Sequence, residues 1–121
     1  MLAGQNTKAK QTLEESLEVA ERCGTKYYIG WAERLLGEVA LRTDMTQAAT
    51  HFQRSITVLQ KIKAENELAL AYVGYGKLHK QQNQIGQARE HLIIALEIFE
   101  RLGTLIEPDR VREELAGLLE P

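Results

Sequence analysis

SLEVAERCGT, residues 16–25, returns as ALEIFERLGT at residues 95–104 with Leu, Glu, Glu, Arg, Gly and Thr in register. Most of the remaining positions exchange one apolar or small residue for another. A weaker copy, SITVLQKIKA at residues 55–64, lies 39 residues after the first and 40 before the last. Repeats of this period mark stacked supersecondary units, none of which can cover its own apolar face without a neighbour. What one unit contains therefore decides the fold.

Between the first two copies, Tyr28, Trp31, Ala32, Leu35, Leu36, Val39 and Ala40 are spaced three and four apart, the stripe of one helix, here termed helix A. Thr43 and Asp44 then offer capping oxygens, with Gln47 at the capping-box position, and the stripe resumes as Ala48, Phe52, Ile56, Leu59 and Ile62, helix B. The next unit repeats this: Leu68, Ala71, Tyr72, Tyr75 and Leu78 on helix A, a cap at Asn83, and Ala88, Leu92, Ala95, Leu96, Phe99 and Leu102 on helix B. Gly103 falls where a left-handed stop is expected. Residues 9–23 match the B helices, so the chain opens mid-unit, and Pro108 with Asp109 opens a closing helix striped by Val111, Leu115 and Leu118. The expected organisation is one all-α domain of about six antiparallel helices: a partial repeat at 1–24, repeats at 25–63 and 64–103, and a capping helix in 104–121.

Composition agrees and narrows function. At 121 residues the chain is long enough for one core, and its abundance of aliphatic residues, Ala and Glu favours helices. Fifteen basic against seventeen acidic side chains give a net charge of −2, no field to hold a nucleic acid. Neither a basic leader nor an apolar run of membrane length appears, which predicts a soluble, cytoplasmic protein without a membrane partner. Cys23 is alone, which removes an internal disulfide and a cysteine zinc site, and its expected place is in the core.

Leu36-Gly37 followed by Ala48, Phe52 and Ser55, and Gly76 followed by Ala88, Leu92 and Ala95, resemble the tetratricopeptide repeat family, whose unit is a helix pair. The resemblance covers most of the chain. It departs from the family at the helix A tryptophan position, which is Glu33 in one unit and Tyr72 in the other, and in a period near 40 rather than about 34. In that it resembles the longer-repeat bacterial members found in signalling and regulatory proteins, often as part of a larger chain. The resemblance implies a short right-handed α-solenoid that binds a peptide or protein segment in a concave groove lined by the A helices, without enzymatic activity or cofactor. Its groove positions fall on Trp31, Arg34, Glu38, Leu41 and Arg42, and on Leu70, Val73, Lys77, Lys80 and Gln81. Four cations against one anion would suit a ligand carrying carboxylates beside an apolar anchor. The family's chaperone-tail clamp does not carry over, because Glu38 and Lys77 follow the two glycines where the clamp needs Asn.

Catalytic and metal chemistry find no support. His51 and His91 occupy equivalent places in successive B helices, an echo of the repeat at a spacing of about a helix diameter, too far to share a zinc ion. His79 is expected to be packed and hydrogen-bonded. Gly74-Tyr75-Gly76 lacks the third glycine and the preceding strand of a phosphate loop and reads as a close helix contact. The alternative to a binding groove is a self-associating or spacer segment, because the opening helix has no A helix of its own and part of its face, Leu13 and Leu17 included, would stand open to a second copy.

Overall fold

The computed structural model describes residues 3–103 and 107–118. The remaining parts of the closing segment assigned to 104–121, and Thr104 of the repeated phrase, lie outside the described residues. The described residues form six α-helices: α1 (Ala3–Cys23), α2 (Lys26–Thr43), α3 (Met45–Lys61), α4 (Glu65–Gln81), α5 (Ile85–Leu102) and α6 (Glu107–Gly117). Each helix packs on the next in chain order, most closely within the pairs α2–α3 and α4–α5.

The helix ends show which local signals act. Asp44 caps α3 by accepting from the Thr46 amide at 3.1 Å, but its own N–H donates to the Ala40 carbonyl, so Gln47 does not close a capping box. Gly24, Lys63 and Gly103, equivalent residues of the three repeated phrases, all take left-handed backbone, with φ of 68°, 57° and 74°. Asn83, expected as a cap, is instead left-handed at φ 60°, and the N-cap of α5 is Gln84, which makes no side-chain capping bond. Asn tolerates this region better than most side chains, which explains its place in the turn.

The core follows the B helices. Ala48, Phe52, Ser55 and Leu59 on α3 and their equivalents Ala88, Leu92, Ala95 and Phe99 on α5 are all inaccessible to solvent. Phe52 enters a slot between two A helices, which only glycine permits. A Cβ on Gly37 of α2 would lie 2.8 Å from its ring, and one on Gly74 of α4 would also collide with it. The Ser55 hydroxyl donates to the Gly30 carbonyl at 2.7 Å, which satisfies a buried polar group across the α2–α3 contact.

Helix α1 starts at Ala3, six residues before its apolar stripe becomes regular. Two expectations for the opening part are corrected. Cys23 is exposed rather than in the core. Tyr28, the first residue of the α2 stripe, is 58 % exposed. Both side chains belong to the end of the helix stack where, among the described residues, α1 packs chiefly on α2.

Candidate functional site

Between α2, α4 and α6 runs an open cavity of about 640 Å³. Eight of the ten residues expected to face a groove line it: Arg34, Glu38, Leu41 and Arg42 from α2, and Leu70, Val73, Lys77 and Gln81 from α4. Leu41, Leu70 and Val73 are half-buried and supply an apolar floor, while Arg42, Lys77 and Gln81 are exposed above it. The other two lie elsewhere. Trp31 is half-buried in a separate cleft between α1 and α2, and Lys80 stands outside the cavity beside α6.

The charge of this surface differs from the excess of cations expected. Arg34 is held by two carboxylates: its Nε donates to Glu67 at 2.9 Å and its Nη1 to Glu38 one turn on, with only 12 % of the side chain exposed. A guanidinium so paired fixes α2 against α4 and is not free to recognise a ligand. Lys77 and Lys80 both approach Glu114 of α6, each with Nζ 3.9 Å from one carboxylate oxygen. Helix α6 also brings Glu107, Arg110 and Glu113 to the cavity wall. The lining thus holds the cations Arg34, Arg42, Lys77 and Arg110 against the anions Glu38, Glu107, Glu113 and Glu114. Among the described residues, no carboxylate pairs with Arg42 or Arg110, and Arg42 only reaches the Asn6 side-chain oxygen at 3.5 Å.

Sequence reasoning missed Glu67 and the α6 residues. A signal for Glu114 was present: it follows buried Val111 by three residues and precedes Leu115, so it sits at the edge of the helix face that packs inward. Treating α6 only as a closing helix hid that edge.

Two of the three histidines, His79 and His91, form a second cluster. His51 Nδ1 lies 2.7 Å from Glu33, a carboxylate only 4 % exposed that also has Arg54 at 3.8 Å. His79 and His91, placed by the α4–α5 pairing, have ring centroids 5.0 Å apart and share contacts with Tyr75. His79 Nδ1 is 2.8 Å from the Gln84 side-chain oxygen, whereas His91 Nδ1 is buried without a hydrogen-bond partner. Burial, reinforced by His79, pushes the His91 imidazole below its ordinary value of 6.5, against an opposing pull from Glu90. No group of three His, Cys, Asp or Glu side chains able to hold a metal occurs among the described residues. Nor is any helix among them long and apolar enough to cross a membrane. Compared with models of known families, with curated proteins and with solved structures, the chain has no match.

Proposed function

We propose that this chain is a tetratricopeptide-like solenoid module, without enzymatic activity, that holds a peptide or protein segment in the groove between α2, α4 and α6. The observation that carries the reading is the convergence of eight expected groove residues on one open cavity with an apolar floor. The glycine-lined slot for Phe52 supports the repeat reading, since close approach of paired helices is what the Leu36-Gly37 phrase is expected to permit. A segment with an apolar side chain for Leu41, Leu70 and Val73, flanked by a carboxylate for Arg42 or Arg110, fits the surface best. Arg34 has a structural part in this reading, as the tie between α2 and α4.

The test is affinity capture from a lysate of the native host, with wild type beside an Arg42→Glu, Lys77→Glu double variant whose helicity is checked by circular dichroism. Both positions are exposed, so the fold should survive the change. A partner retained by wild type and lost by the variant is the expected result. Identical partners on both baits would refute the groove.

A further inference from the structure

In α3 and α5, the equivalent residues Ser55 and Ala95 are fully covered, and Ser55 is covered by its paired helix α2. The corresponding residue of α1, Ser16, is exposed, and among the described residues no helix covers it. Thr12, Ser16 and Val19 follow at four- and three-residue spacing, so they share one face, and Val19 is 50 % exposed. With Glu15, Tyr28 and Trp31 they border a cleft of about 430 Å³. Past Thr12 the cleft continues toward the helix start as a shallow depression along Gln5, Lys8 and Ala9. The result is a mainly apolar trough along α1, the kind of surface that buries itself against a partner. Of the two residues expected on this open face, both half-buried, Leu13 borders the depression near the helix start, whereas Leu17 lines a different cleft with residues of α2 and α3.

The charges on α1 indicate what covers the trough. Residues 3–10 hold Lys8 and Lys10 and no acid, while residues 14–21 hold Glu14, Glu15, Glu18 and Glu21 and no base. Arg22 follows in the last turn, beyond the acidic stretch. None of the six side chains Lys8, Lys10, Glu14, Glu15, Glu18 and Glu21 has an ion-pair partner among the described residues. An antiparallel second α1 pairs the two stretches, because its acidic stretch lies over the basic one of the first. A crossing centred near Thr12 brings Lys8 of each copy within a turn of Glu15 of the other, and the two-fold axis makes the contact twice.

We propose that the open face of α1 is a docking surface for a second copy of this chain, with the two α1 helices antiparallel across a two-fold axis and Lys8 paired with Glu15 between copies. Val19, Tyr28 and Trp31 supply the apolar contact, and the charge pairs set its direction. The groove between α2, α4 and α6 shares only α2 with this surface and uses different residues of it, so each copy keeps its own.

The test is sedimentation equilibrium of the full chain over a concentration series at low salt, with Lys8→Glu, Glu15→Lys and the double exchange. Wild type should be a reversible dimer, weakened by added salt. Each single variant should raise the dissociation constant by about tenfold or more, and the double exchange, which restores complementary charges, should return it to near the wild-type value. Lys8→Glu places an acid nearer the start of α1, so helicity measured by circular dichroism should be unchanged or higher and unfolding cannot account for lost dimer. A wild type that stays monomeric at ~1 mM overturns the proposal. So does a dimer indifferent to the single changes, or one that the double exchange fails to restore.

Discussion

Helices α1 and α5 end in nearly the same ten residues, yet among the described residues α5 packs between α4 and α6 while α1 packs chiefly on α2. At equivalent places, Ala95 is wholly covered and Ser16 is exposed; Ile98 is 7 % exposed and Val19 is 50 %. The pattern of a helix states which faces can be buried. Whether they are depends on a second element, and along α1 that element is not supplied by the described residues of the same chain. The contrast separates residues that hold the fold from residues that are available for contacts between molecules.

The largest expected effect comes from placing the same charge at both ends of this contrast. Ala95→Glu buries an unpaired carboxylate in the α4–α5 contact and should cost about 3–5 kcal/mol in urea unfolding, enough to unfold a marginal domain. Ser16→Glu at the equivalent position should leave the monomer within about 0.5 kcal/mol of wild type. Comparable losses at both sites would mean that α1 is covered after all.

A smaller effect distinguishes His91 from its counterparts, since His51 has a carboxylate beside it and Thr12 occupies the same place in α1. The folded-state pKa of His91 lies below the ordinary 6.5. Between the two values the unfolded chain binds the extra proton, so stability is fully present above pH 6.5 and declines as pH falls through the window beneath it. His91→Phe should flatten the dependence of unfolding free energy on pH as pH falls below the ordinary value of 6.5. An unchanged slope would assign the dependence to other groups.

The smallest effect concerns the three left-handed stops. Lys63 occupies the conformation that Gly24 and Gly103 adopt without a Cβ clash. Lys63→Gly should therefore stabilise the chain by about 0.5–1 kcal/mol, the relief of strain exceeding the added freedom of the unfolded glycine. Thermal unfolding checks it, and a destabilised variant would show that the lysine side chain is doing more than tolerating its backbone.

Much of this architecture could be read from residue spacing. The stripes through Leu36, Ala48 and Phe52, and through Leu78, Leu92 and Phe99, predict buried helical faces, and those residues are buried. Asp44 and Gly103 mark helix ends because their effects are local: a side-chain oxygen two residues from its amide, and a Cβ-free turn. Cys23 and Tyr28 are exposed despite their apolar spacing, because spacing says nothing about which neighbour covers a face. The groove was legible as a set of positions but not as a charge distribution. Arg34 meets Glu67 from 33 residues away, and Lys77 and Lys80 meet Glu114 from a separate helix, pairings that exist only after the helices pack. Asn83 lies one residue before the N-cap of α5, in a left-handed turn whose only signature in the sequence is a tolerant side chain.

Hydrogen exchange, followed helix by helix on dilute protein, tests the contrast between α1 and α5 most directly. Amides of α3, α4 and α5 should be the best protected and those of α1 the least, with α1 protection rising as concentration favours a second copy. Protection of α1 equal to that of α5 at high dilution would contradict the central claim that one face of the opening helix stands open in the single chain.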